Sequence, residues 1–128
     1  MAYEENGIVQ IEADELKEII ESDNDEAIII DVREPDEYIE SHIPGVPLIP
    51  MSRIPFVMDE LKKEATYIFV CRSGGRSQAV AEYLKAHGFR RVYNFAGGML
   101  TWKGRTKTGL EWAVERGAGL FQRNGEEG

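Results

Sequence analysis

Two short stretches of this chain are apolar at every position: Ala27-Ile28-Ile29-Ile30, continuing through Asp31 to Val32, and Tyr67-Ile68-Phe69-Val70. A strand with one wet face alternates polar and apolar residues, so uniform runs of this length belong to strands covered on both faces. Such strands occur in parallel sheets, and the connection between parallel neighbours is a right-handed crossover that usually contains a helix. The first run is expected to be a central parallel strand, and the fold class expected from these runs is α/β.

The intervening residues fit that plan. Ile8 to Ile11 alternates weakly as a short strand, and Ala13 to Ser22 carries Leu16, Ile19 and Ile20 at helical spacing behind acidic Asp14 and Glu15. Asp23-Asn24-Asp25-Glu26 reads as a solvated polar turn. Pro35 suits a first helical position, with Asp36 and Glu37 complementing the positive end of a short helix through Ser41. The prolines of Ile43 to Pro50 restrict that segment to a loop with a brief edge-type extended piece. Ile54 to Leu61 and Ser77 to His87 are further helix candidates, with Gly88 at a helix end, and Val92 to Phe95 is another strand. Leu110 to Val114 is expected to be helical, and Asn124 to Gly128 to fray.

At 128 residues the chain has room for one α/β domain rather than two. Its 42% hydrophobic and 30% charged residues are ordinary for a globular protein. A net charge of −8 argues against a nucleic-acid partner, since phosphate neutralisation needs a basic face. No stretch reaches the roughly 20 apolar residues of a membrane span, and the acidic start lacks a signal-peptide pattern, so a cytoplasmic location is expected. The single cysteine forbids an internal disulfide and a multi-cysteine metal site.

That cysteine stands where ligands bind in open parallel sheets, at the carboxyl end of a buried strand. It opens the string Cys71-Arg72-Ser73-Gly74-Gly75-Arg76-Ser77. Two glycines let successive amides turn inward as an anion-binding concavity, and the following helix adds its positive end. Arg72 and Arg76 add full charges, and these together should lower the thiol pKa from about 8.5 toward roughly 4 to 7. Ser73 and Ser77 can donate into the same cup, with helix capping the favoured role for Ser77. Adjacent side chains diverge in a tight loop, so Arg72 is expected to face solvent and Arg76 to reach back toward an acidic partner.

The string and its context resemble the rhodanese-homology domain. Asp31-Val32-Arg33-Glu34-Pro35-Asp36-Glu37-Tyr38 is similar to that family's first signature, His42-Ile43-Pro44-Gly45-Val46 to its second, and Asn94-Phe95-Ala96-Gly97-Gly98-Met99-Leu100-Thr101-Trp102 to its closing segment. The resemblance covers about Ile8 to Gly104. It implies a three-layer domain over residues 1–104, with a mainly parallel central sheet between helices, and leaves 105–128 as a C-terminal extension.

For activity, the resemblance implies a sulfurtransferase with a persulfide on Cys71. The donor would be a small sulfane compound such as thiosulfate or a persulfide, and the acceptor cyanide, a thiol or a sulfur-relay protein. No metal or organic cofactor is implied. Arg72, Ser73, Gly74, Gly75, Arg76 and Ser77 would bind substrate, while Asp31, Arg33 and His42 would support the structure around them. Trp102, with Met99 and Leu100, should serve as core or pocket wall, and Lys103, Arg105 and Lys107 form a small basic cluster.

Two alternatives stand beside this reading. A noncatalytic or dedicated sulfur-relay module of the same family would share much of the sequence. A cysteine phosphatase or arsenate reductase also sets cysteine and arginine ahead of a helix, but places five residues between them. Here Cys71 and Arg76 enclose four, and the next position is Ser77.

Overall fold

The two apolar runs form neighbouring strands, and the first of them, expected to be central, lies at the edge of the sheet because its second neighbour is the irregular segment around Leu48. The computed structural model describes residues 3–22 and 26–115. In chain order it contains β1 (Tyr3–Glu5), β2 (Ile8–Ile11), α1 (Ala13–Glu21), β3 (Ala27–Asp31), α2 (Pro35–Glu40), α3 (Ile54–Val57), β4 (Thr66–Val70), α4 (Gly75–Ala86) and β5 (Arg91–Phe95), with short 3-10 turns between. The strand order is β1-β2-β5-β4-β3, and only the β1–β2 pairing is antiparallel. This is the expected α/β class, with a mainly parallel sheet between helical layers. No helix among the described residues is long and apolar enough to cross a membrane.

The pleat of β4 divides the core. Tyr67 and Phe69 pack with Ile54 and Val57 of α3 and with Val80 and Leu84 of α4, whereas Ile68 and Val70 pack with Leu16 of α1, Val46 and Phe95. Cys71 continues the Tyr67 and Phe69 parity and joins the first cluster. Strand alternation therefore aims its sulfur at the α4 side.

The structure departs from the sequence expectations at four further places. The helix expected over Ile54 to Leu61 is only the single turn α3, flanked by 3-10 turns at Met51–Arg53 and Met58–Glu60, and the helical path ends at Leu61, which is extended at φ −89° and ψ 148°. The helix α4 starts at Gly75 rather than Ser77, and Gly74, at φ +99°, is its N-cap. Ser77 is thus not a cap. The hairpin partner β1 was not anticipated. It is fully exposed and carries no apolar pattern, and it turns back through Asn6 at φ +53° and Gly7 at φ +81°.

The fourth departure is the expected helix over Leu110 to Val114, which is extended instead. The Leu48 amide donates to Trp112 O at 2.8 Å and the Val114 amide to Leu48 O at 3.0 Å. Leu48 also bridges Asp31, so both segments cover the open edge of β3. Those bonds satisfy backbone groups that a helix would have used internally. Further back, His42 and Lys107 exchange backbone hydrogen bonds of 2.9 and 2.8 Å. Glu111 accepts from the Gly45 amide at 3.0 Å, and its Oε1 lies 2.9 Å from His42 Nε2. The turn at 23–25 and the tail expected to fray lie outside the described residues.

Ending the chain at residue 105 is expected to lower stability by about 2 kcal/mol or more, since burying a Val side chain alone contributes roughly 1.5 to 3 kcal/mol and buried polar partners would also be stranded. Urea unfolding measures this. An unchanged midpoint would show that the segment contributes nothing to the domain.

Candidate active site

The cup around Cys71 is made by fixing where backbone groups point. The Cys71 carbonyl accepts from the Met99 amide at 2.9 Å and the Arg72 carbonyl from the Leu100 amide at 3.0 Å. Both donors belong to the 3-10 turn Gly98–Thr101 that follows β5. With these carbonyls held toward that turn, the amides beyond them face the sulfur. The Gly74 amide donates to Sγ at 3.1 Å and the Ser77 amide at 3.4 Å, while the Ser77 hydroxyl lies 3.3 Å away.

Two glycines make the approach possible. A Cβ on Gly74 would meet Ala96 O at 2.1 Å, and one on Gly98, at φ +62°, would meet Arg72 O at 2.4 Å. Each is backbone against backbone, so no side-chain movement could relieve the clash.

Cys71 is 1% exposed. Burial pushes its thiol up, but the hydrogen bonds from the Ser77 side chain and backbone and from the Gly74 and Ser73 amides outweigh burial and hold it below its ordinary value. Of the expected contributors, inward amides, helix end, serine hydroxyls and two arginines, the arginines are not the main ones. Instead, the chief lowering influences are neutral donors at contact distance. Ser73 acts through its backbone amide, and its side chain is on the exposed rim.

The arginines have separate positions. Arg76 Nη1 and Nη2 donate to the two carboxylate oxygens of Glu37 on α2 at 2.8 and 2.9 Å. The acidic partner foreseen for Arg76 is therefore Glu37. Arg72 is exposed and lines an open pocket with Arg33, Glu37, Met99, Leu100 and Trp102. Trp102 stands edge-on to Phe95 at 6.2 Å, packing behind that wall. Of the basic cluster, Lys107 pairs with Glu111 at 3.4 Å.

Asp31 and Arg33 are brought together as a buried pair. Arg33 Nη2 donates to Asp31 Oδ2 at 2.8 Å and to the Ser41 carbonyl at 2.7 Å, fixing the end of β3 to the end of α2. His42, fully buried, stacks on Tyr38 at 3.7 Å and contacts Glu111 rather than the sulfur loop.

Sequence reasoning overlooked Asn94, whose Oδ1 accepts from the Ser77 hydroxyl and whose Nδ2 donates to the Gly74 carbonyl at 3.1 Å. The available signal was a lone polar residue inside the apolar strand Val92 to Phe95. Gln10 in β2 carries the same mark.

The profile of the rhodanese-like domain matches residues 12–105. The chain belongs to the rhodanese-like domain family. It is 47% identical over 100 residues to a Bacillus subtilis protein named as a putative sulfurtransferase, YtwF, covering 78% of this chain and 95% of that one. It is 36% identical over 81 residues to the thiosulfate sulfurtransferase GlpE of Pseudoalteromonas translucida, covering 63% of this chain and 77% of that one. Among solved structures, a rhodanese-like domain protein from Staphylococcus aureus superposes with a TM-score of 0.68 at 38% identity, covering 77% of this chain and 96% of that one.

The Glu37–Arg76 pair gives a pH prediction for this rhodanese-like domain. The hydrogen bond from Arg76 is the main reason that the Glu37 carboxyl is lowered from 4.5 to about 2. A depressed carboxyl contributes stability that is fully present above its unfolded pKa and is lost as pH falls through the folded value. The urea midpoint difference between the wild type and Glu37→Gln should therefore be largest above about pH 5 and close toward about pH 2. A difference constant across that range would remove the ion pair from the account.

Proposed function

We propose that this domain is a sulfurtransferase in which Cys71 carries a sulfane sulfur from a small donor, such as thiosulfate or a persulfide, to a thiol or cyanide acceptor. The observation that carries the reading is the converging set of amide and hydroxyl donors on a buried thiol at a strand end. Those donors suit an anionic sulfur and supply the stabilisation that acid–base catalysis would otherwise provide. The names of YtwF and GlpE support the same chemistry.

In the first half-reaction the Cys71 thiolate attacks the outer sulfur of thiosulfate. A new S–S bond forms, the original S–S bond breaks with its electron pair, and sulfite leaves. In the second, cyanide or a thiolate attacks the outer sulfur of the persulfide. Its S–S bond breaks, and the pair returns to Sγ as thiolate. Both halves are displacements at sulfur and neither requires an external oxidant or reductant.

Intact mass after incubation with thiosulfate is expected to gain one sulfur atom in the wild type and none in Cys71→Ser. Thiosulfate:cyanide turnover should vanish in the same variant, because a serine hydroxyl is a poor nucleophile at neutral pH. Turnover surviving in Cys71→Ser would sink the mechanism. Persulfide formed from a protein donor but not from thiosulfate would favour the dedicated relay, and efficient phosphate-monoester hydrolysis dependent on Cys71 would favour the phosphatase.

The different placements of the arginines separate their effects. Arg72→Ala should raise KM for thiosulfate and flatten its salt dependence, because an exposed charge steers through a screened field. Arg76→Ala should leave the salt slope and lower kcat, since its partner Glu37 ties α2 to the loop; the half-exposed pair itself is worth about 1 kcal/mol or less in stability. Thiosulfate kinetics across ionic strength check this, and a salt slope unchanged in Arg72→Ala overturns the steering role.

A further inference from the structure

Behind the cup, a file of buried polar side chains runs from the sulfur to the far side of α4. Asn94 Nδ2 donates to Gln10 Oε1 at 2.8 Å, Gln10 Nε2 to Gln78 Oε1 at 2.7 Å, and Gln78 Nε2 to Glu82 Oε2 at 2.7 Å. Asn94, Gln10 and Gln78 are 2%, 2% and 8% exposed. Ser77, Asn94, Gln10 and Gln78, buried together at the junction of α4, β2 and β5 and all satisfied, are costly to place there and call for a purpose.

The direction of the file is fixed by groups that can only accept. Gln78 Nε2 also donates to Glu5 O, Gln10 Nε2 to Ile8 O, and Asn94 Nδ2 to Gly74 O. Each amide nitrogen is thereby committed to a carbonyl or carboxylate, and none of the amides can flip without facing oxygen with oxygen. Asn94 consequently presents only its oxygen to Ser77. The Ser77 hydroxyl has one proton and two acceptors within reach, Asn94 Oδ1 and Cys71 Sγ.

We propose that Asn94 is a positioning residue that holds the Ser77 proton while Sγ is uncharged and releases it to Sγ when negative charge appears there. The inference rests on the persulfide reading of Cys71. In the resting thiol and in the inner sulfur of the persulfide, Sγ is neutral, and Ser77 donates to Asn94. When the acceptor takes the outer sulfur, the S–S pair returns to Sγ and Ser77 turns to donate to the leaving thiolate. A donor engaged only as charge develops favours the transition state over the ground state. The attacking thiolate takes the same bond, and Asn94, by competing for the Ser77 proton, limits how far that bond stabilises a nucleophile whose reactivity falls as its pKa falls.

Among the charged groups around the loop, Arg76 interacts with the sulfur charge and with Glu37 and Glu34, and Arg72 is exposed. None touches Asn94, so substitutions there leave this set in place.

The test is the pH midpoint of Cys71 alkylation by iodoacetamide, which requires no sulfur transfer. Ser77→Ala should raise the midpoint by loss of a donor. Asn94→Ala should lower it, because the Ser77 proton then has Sγ as its remaining acceptor. At a pH above both midpoints, the alkylation rate of Asn94→Ala should be about threefold slower for a midpoint one pH unit below that of the wild type. In a Ser77→Ala background, Asn94→Ala should leave the midpoint unmoved. A residue that merely braces the loop would raise the midpoint in both backgrounds, and that result overturns the proposal.

Should Asn94→Ala lose native near-ultraviolet circular dichroism, the wild type decides alone. Its Asn94 side-chain amide resonances are expected to titrate at the Cys71 midpoint while those of Gln78 stay flat. A flat Asn94 signal overturns the proposal. Failure of the wild type to gain sulfur from any donor would remove the persulfide reading separately, without altering these midpoints.

Discussion

The site depends first on the two hydrogen bonds that draw the Cys71 and Arg72 carbonyls to the amides of Met99 and Leu100. A loop carries as many acceptors as donors, and an anion is welcome only where the acceptors have been turned away. Here the turn after β5 removes the two carbonyls nearest the sulfur. That turn can sit so close only because Gly98 lacks a Cβ that would strike Arg72 O at 2.4 Å. Because β5 pairs directly with β4 in parallel, the turn leaves the sheet beside the strand that carries Cys71. Sheet order, a glycine and two amides thus combine to make one anion site.

This arrangement determines what kind of field the sulfur feels. Full charges act over the Debye length and are screened by salt, whereas amide and hydroxyl donors at about 3 Å act at contact and are insensitive to it. The cup uses the second kind. Arg76 is engaged with Glu37, and Arg72 faces the pocket rather than the thiol. The field at Sγ and the positive charge that faces the pocket consequently come from different groups, so either can change without altering the other.

Much of this was legible in the sequence, and the failures have particular causes. The uniform runs at 27–32 and 67–70 marked strands covered on both faces, but the first, expected to be central, stands at the edge, where the segments around Leu48 and Ala113 take the place of a further strand. The string from Cys71 to Ser77 specified the nest. Ser77 itself was misread as a cap, since a serine two residues beyond a glycine pair suits that role locally; only the left-handed Gly74 moves the helix start back. Leu110 to Val114 looked helical because periodicity over five residues is weak, and the demand that decides its conformation, the open edge of β3, lies far away in sequence. β1 escaped because it has no buried face, though Asn6-Gly7 is the dipeptide that favours a tight hairpin. Asn94 shows in the sequence only as a polar residue in an apolar strand, because the partners that make it a site residue come from β2 and α4.

The composition of α4 follows from these partners. Its buried residues are Ser77 and Gln78 in the first turns and Val80, Ala81 and Leu84 beyond them. The buried residues at the end that abuts the sulfur are fastened by directional bonds and those at the remote end by packing, with Lys85 bonding the Gly7 carbonyl from the surface. Apolar contacts tolerate sliding, because dispersion and burial change little over a few tenths of an ångström, whereas a hydrogen bond weakens steeply once its angle falls. A helix whose N-terminal amides must meet a sulfur at 3.1 to 3.4 Å therefore needs its polar fixings at that end. The Ser77, Asn94, Gln10 and Gln78 file supplies them, and its burial, costly to an isolated helix, is offset by complete satisfaction of every group in it.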